Sequence, residues 1–240
     1  MKKVWNSPIG RIISVSLLAG LTYLLLGKLK LLTGSLLPSF ITENSDSMGA
    51  IYKTLMALIS VILMLIIPGK NLSDFGFKLP GRINYLKLVL ITIFSTLAGL
   101  VVFSIIFMGI LSGIYGVEAK GGFDMSGSIW ISIIGIWFWS SVAEEIYHRG
   151  LLQTLLSVLK KYKFLGLSLA VWFSALFFGA MHLTLFKISN SPFWVLMIVC
   201  NTFVLGLIAS YYREKSGSII PAILAHIMAN IAGYLPRFFM

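Results

Sequence analysis

The sequence predicts an all-α polytopic membrane protein, a bundle of seven transmembrane helices, or eight if one short apolar stretch is counted. Three observations carry this. Only 11% of the 240 residues are charged and 58% are hydrophobic, against about a quarter charged in ordinary soluble domains. Apolar runs long enough to cross a hydrocarbon core of about 30 Å as helices recur along the whole length. Mean hydropathy is +0.94, more than one water-soluble core absorbs. The chain therefore reads as a single integral membrane domain over 1–240 whose solvent is the lipid bilayer.

The apolar segments lie roughly at 11–27, 49–68, 88–116, 127–158, 164–186, 192–212 and 217–236, with ends placed to about 2–4 residues. Before the first stand Met1, Lys2 and Lys3. That start resembles a signal peptide, but no small-x-small cleavage site precedes Lys28, so the segment is predicted to be a retained span. The stretch 31–42 (LLTGSLLPSFIT) is too short to span and contains Pro38; lying at the interface or re-entering, it is the eighth element. The polar stretch 69–87, with Lys70, Lys78, Arg82 and Lys87, reads as a surface loop with room for a short amphipathic helix. Cys200 sits in an apolar run as a packing residue, and one cysteine makes no disulfide framework. No internal repeat or low-complexity tail is visible.

A net charge of +11 would point to nucleic acid in a soluble protein. Here the basic residues lie mostly in short loops, where they set orientation against an anionic leaflet and exclude a nucleic-acid partner. With a cytoplasmic N-terminus, the inside segments hold twelve (Lys2, Lys3, Arg11; Lys70, Lys78, Arg82, Lys87; Lys160, Lys161, Lys163; Arg213, Lys215). The outside segments hold six: Lys28, Lys30, Lys53, Lys120, Lys187 and Arg237. The bias predicts N-terminus in and C-terminus out.

Charges inside a span cost about 2.5–3.5 kcal/mol each at mid-bilayer. The fourth segment nonetheless holds Glu144, Glu145, His148 and Arg149 in SSVAEEIYHRGLL. At helical spacing Glu145 shares a face with Arg149 and Glu144 with His148. Arg149 neutralises Glu145, and Glu144 is left without an obvious full counter-charge. A water-exposed helix end would be the bland account, but LLQTLLSVL continues the apolar run after Arg149. The remaining histidines are His182, which closes FGAMH one turn after Phe178, and His226, which opens HIMAN one turn before Asn230. A lone membrane histidine is usually a helix–helix hydrogen-bonding residue. Two of them, with a glutamate and an asparagine, offer a base, proton carriers and hydrogen-bond donors. Counted from the cytoplasmic ends at about 1.5 Å per residue, their depths are unequal, so a shared cavity requires tilted helices or shifted ends. The sequence contains no HExxH zinc motif, no GxGD aspartate, no GxSG serine paired with a later membrane histidine, and no aspartate within a span.

At these residues the chain resembles the CAAX protease and bacteriocin-processing (Abi) family of intramembrane endopeptidases. That family's pattern is EExxxR, then FxxxH, then HxxxN or HxxxB, on three successive membrane elements of the C-terminal half. Here it corresponds to Glu144-Glu145 with Arg149, Phe178 with His182, and His226 with Asn230, within about residues 127–236. His148 departs from the pattern, since many members have a bulky apolar residue before the arginine. The resemblance implies an endopeptidase acting on a membrane-associated peptide or protein, whether lipidated or not. It implies that Glu144 activates a water, that His182 orients it or shuttles protons, and that His226 and Asn230 stabilise the oxyanion. Arg149 pairs with Glu145, and Phe178 supports the site. No cofactor is implied by the CAAX-processing members; a zinc held by Glu144, His182 and His226 is the alternative. Bacterial members are linked to bacteriocin maturation and self-immunity, which would place the protein in a plasma membrane. Two competing readings are a non-catalytic binding module of the same fold and a proton-coupled carrier, the latter requiring repeats that are not seen.

Overall fold

A computed structural model describes residues 7–38, 45–117, 132–187, 189 and 191–234, and these are almost wholly helical. The chain divides into two compact units. One comprises Met1–Leu79 with Met125–Ala170, and the other Pro80–Asp124 with Val171–Met240.

In the first unit, α1 (Pro8–Leu36) starts at a serine cap, the Gly10 N–H donating to Ser7 Oγ at 3.0 Å with Pro8 in the first turn. It runs past Lys28 and Lys30 and stops at Leu37, whose extended backbone is what the following Pro38 demands. This corrects the reading of 31–42 as a separate element. Residues 31–36 are the last turns of α1, and residues 39–44 lie outside the described set. Helix α2 (Ser45–Ile66) follows. Residues 67–84 form turns, with no short amphipathic helix. The Asp74 carboxylate accepts from the Asn71 N–H at 2.9 Å, a local bond that competes with helix. Phe75, fully buried, pins this polar loop to the unit.

Helix α4, residues 132–159, alternates between π-helical and α-helical stretches and ends in a 3₁₀ turn. Its α-helical Ser141–Glu145 is flanked by π-helical Ser132–Ser140 and Ile146–Leu152. Such wide turns concentrate at functional sites. Tyr147, Leu151, Leu152, Leu156 and Leu159 of α4 are buried together with Leu26 of α1 and Met56 and Met64 of α2, and α4 packs on both helices. A two-stranded hairpin, β1 (Lys163–Phe164) with β2 (Leu167–Ser168), turns through Leu165 and Gly166, both at positive φ. The apolar segment read from residue 164 thus begins with this hairpin, and its helix starts at Leu169.

The second unit holds α3, which runs from Tyr85 to Tyr115 and turns π-helical over Ser104–Leu111. It also holds α5 (Leu169–Met181, tightening to 3₁₀ over His182–Lys187), α6 (Pro192–Ser216) and α7 (Ile220–Tyr234). Helix α6 closes on Gly217 in the left-handed conformation, its N–H donating to the Arg213 carbonyl at 3.0 Å. Helix α7 turns inward a stripe of Ala222, Ala225, Ala229 and Ala232, small enough for close approach to α3 and α6. Trp194, Val195 and Met197 of α6 form a cluster with Phe103, Phe107 and Met108 of α3 and Leu185.

Large apolar side chains cover the outward faces, among them Leu17, Leu21 and Leu24 on α1 and Leu86, Leu90, Phe94 and Val101 on α3. Faces of this extent are stable in lipid, not water. All seven predicted segments meet a helix, and five helices among the described residues are long and apolar enough to cross a bilayer: α1, α2, α3, α5 with its 3₁₀ extension, and α6. Every 18-residue stretch of α4 contains Glu144, Glu145 and Arg149, and the described part of α7 is a shorter apolar helix. The protein is an all-α integral membrane protein.

Helices α5 and α6 touch backbone to backbone: a Cβ on Gly206 would lie 2.9 Å from Ala175 Cα and 3.2 Å from Ala175 O. Gly206→Val is expected to cost about 1–3 kcal/mol, read as a lower melting temperature in detergent. Gly20→Ala on α1, with nothing within 4 Å of the new methyl, should melt like the parent. Equal melting of both variants would contradict this packing.

Candidate active site

Within the first unit, α4 brings its ionisable residues onto partners from α1 and α2. Glu145 and Arg149 form a closed pair, Arg149 Nη1 donating to Glu145 Oε1 at 2.8 Å with both side chains 0% exposed. This is the i,i+4 pair expected from the sequence. Glu144 is also buried, but its partner was not foreseen. The Lys53 ammonium, from α2, donates to Glu144 Oε1, and the Ser140 hydroxyl donates to the same oxygen at 2.8 Å. The expectation that Glu144 lacks a full counter-charge is therefore corrected. Lys53 is also not an outside-loop charge; moving it onto α2 leaves twelve basic residues against five in the orientation count.

His148, fully buried, meets Tyr23 of α1 through Nε2 and the phenol oxygen at 3.1 Å. The Tyr147 ring stands edge-on to both, 5.6 Å from Tyr23 and 4.9 Å from His148 between centroids. Tyr147 donates a long 3.5 Å hydrogen bond to the Ala19 carbonyl. Just before the glutamates, Trp139 Nε1 donates to Thr54 Oγ1 at 3.0 Å, tying α2 to α4 beside Lys53.

Within the second unit, Phe178 is fully buried on α5 and contacts two histidines. Its centroid lies 5.4 Å from the His182 ring and 5.3 Å from the His226 ring of α7, both edge-on. His182 begins the 3₁₀ stretch, and its Nδ1 is 3.0 Å from the Phe178 carbonyl. A carbonyl only accepts, so Nδ1 carries the proton and Nε2 is the acceptor of the neutral ring. His226 is buried, and Asn230 is half-buried one turn further along α7.

The structure thus assembles the predicted residues as two groups, Glu144, Glu145, His148 and Arg149 in one unit and Phe178, His182, His226 and Asn230 in the other. Within each unit, among the described residues, no three His, Cys, Asp or Glu side chains gather as metal ligands. Sequence reasoning missed Lys53, Ser140 and Tyr23. Lys53 did leave a signal, as the sole charged residue in the apolar run from residue 49 to 66. An isolated charge there calls for a buried partner. A serine and a tyrosine in apolar helices are too common to read.

Residues 126–232 match the family model of the type II CAAX prenyl endopeptidase, Rce1-like, and over that segment the chain is similar to CAAX proteases. No curated protein and no solved structure matches the chain.

Removing one member of a buried ion pair leaves a bare charge, which costs about 3–5 kcal/mol, whereas replacing both with apolar groups of similar shape is near neutral. Arg149→Ala should therefore lose most folded protein, and Arg149→Met combined with Glu145→Leu should recover much of it. The check is monodisperse yield and melting temperature in detergent. A double variant no better than Arg149→Ala would contradict the pair's assigned role.

Proposed function

We propose that the protein is an intramembrane endopeptidase in which Glu144 is the general base that activates a water against a peptide bond. The match of 126–232 to a CAAX prenyl endopeptidase family, with all three motifs inside it, carries this reading. Glu144 takes a proton as the water oxygen bonds to the scissile carbonyl carbon. The carbonyl electrons move to oxygen, and His226 and Asn230 donate hydrogen bonds to that oxyanion. The amide C–N bond then breaks, and the proton held by Glu144 passes to the departing amine. The Nδ1–H bond to the Phe178 carbonyl fixes the His182 ring with Nε2 as acceptor, suited to orienting the water or carrying its proton. Arg149 pairs with Glu145 and holds α4 in shape.

The reading is metal-free. The support is local: the Glu144 oxygen that a cation would seek already accepts from the Lys53 ammonium and the Ser140 hydroxyl. A divalent ion there would meet a like charge at close range. A zinc held by Glu144, His182 and His226 remains the alternative to test with chelators.

The substrate class is a membrane-associated peptide or protein tail. A prenylated C-terminal sequence fits the family description, and a bacteriocin leader or an immunity function fits the resemblance in the motifs. The basic-residue bias supports a cytoplasmic N-terminus, in the plasma membrane if the source is bacterial.

The test compares membrane-associated peptides from cells carrying the parent with those carrying Glu144→Gln at matched protein levels. A peptide or protein shortened only by the parent is the expected result. Unchanged profiles, with a phenotype that Glu144→Gln still rescues, would replace the peptidase by the non-catalytic binding module. With a substrate in hand, His226→Ala should lower kcat by about 10²–10³ at normal folded yield, and full activity would remove its oxyanion role.

A further inference from the structure

The general base assigned above is held by a residue outside the family-matched segment. Lys53 lies on α2, whereas the match begins at residue 126. Its side chain is 20% exposed and that of Glu144 6%, so the pair lies at the edge of the protein interior. Two donors from two helices, the Lys53 ammonium and the Ser140 hydroxyl, converge on one oxygen, Glu144 Oε1. Ser140 is one turn back on α4 and moves with Glu144. Lys53 fixes the carboxylate from a different helix and by charge.

Its own position is anchored. The next residue, Thr54, receives Trp139 Nε1 at 3.0 Å. On the other side the Tyr52 ring lies 5.7 Å from the Lys53 nitrogen, within cation–π range. A turn further along α2, Met56 is fully buried, and its carbonyl accepts from the Ser60 hydroxyl at 2.6 Å. The helix that delivers the ammonium is therefore tied to α4 at the level of the pair.

We propose that Lys53 is a positioning residue for the reaction, fixing the Glu144 carboxylate by an ion pair across α2 and α4. The inference rests on the peptidase reading. A carboxylate held at one oxygen by two donors cannot rotate freely about its terminal torsion. That restriction keeps a base in a reactive geometry, and a misplacement of about 1 Å can cost about 10²-fold in rate. The pairing also accounts for a lysine that otherwise only adds to the cost of inserting α2.

The experiment uses the full-length protein in nanodiscs, as Lys53→Met and Lys53→Arg, each with Glu144 and with Glu144→Gln. The first readout is melting temperature. Lys53→Met should destabilise the parent clearly and the Glu144→Gln background little, because the amide needs no counter-charge. Equal destabilisation in both backgrounds would overturn the pair. The second readout is cleavage of an internally quenched peptide ending in a prenylated CAAX sequence. Lys53→Met should lower kcat by about 10²-fold with KM within about threefold, and Lys53→Arg should restore most of kcat. Coupled melting with an unchanged kcat would overturn the positioning role and leave a structural ion pair. If the parent leaves the peptide intact, the prenyl-peptide reading falls and the positioning role with it, while the melting series still reports the pair.

Discussion

An ionised side chain withdrawn from water must meet an opposite charge, and that requirement organises the first unit. Glu144, Glu145 and Arg149 are all buried on one helix, where each alone would cost several kcal/mol. The chain meets the requirement twice, by an intrahelical pair, Glu145 with Arg149, and by an interhelical one, Glu144 with Lys53. The second pair makes α2 part of the site, and Tyr23 against His148 does the same for α1. A helix whose composition is the poorest for a membrane is thus clad by two whose outward faces are rich in leucine and isoleucine. The polar interior and apolar exterior follow from one solvent being lipid.

The second unit solves a different problem. Its described helices carry few charges, and lipid offers no hydrophobic drive to bring them together. Small residues take over: Gly206 against Ala175, Gly179 against Phe203, and the alanine stripe of α7. These close crossings bring both histidines against Phe178. The aromatic ring stands edge-on to both imidazoles. Phe178 earns its place in the motif by rigidity, since its backbone carbonyl also selects the His182 tautomer.

Much of this was legible in the sequence, and the failures have identifiable causes. Length and hydropathy located every helix among the described residues, because a 20-residue apolar run has little alternative in lipid. The i,i+4 spacing gave Glu145–Arg149 outright. Lys53 was assigned to a loop because a basic residue near the start of a span normally belongs to the interface. Its partner lies 91 residues away, and no local pattern encodes how two helices are rotated about their axes. The end of α1 was placed too early because Lys28 and Lys30 looked like a boundary, whereas the helix continues to the turn before Pro38. Side-chain bonding of Asn71 and Asp74 decided against a helix in the 67–84 loop, a competition that composition alone does not resolve.

Matching residues in order along a chain define the chemistry a family performs, but not the means by which each member holds those residues in place. The matched segment carries Glu144, His182, His226 and Asn230, yet the ammonium on the glutamate comes from outside it. Glu145 needs no such help, since its arginine is on the same helix and inside the same motif. The asymmetry has a physical basis. A structural pair gains from being fully enclosed and rigid, which i,i+4 neighbours on one helix provide. The base proposed at Glu144 has instead to exchange a proton, and a counter-charge on a separate element can hold it without enclosing it on its own helix. An interhelical lysine at the edge of the interior meets that condition, and an intrahelical arginine buried beside the glutamate would not.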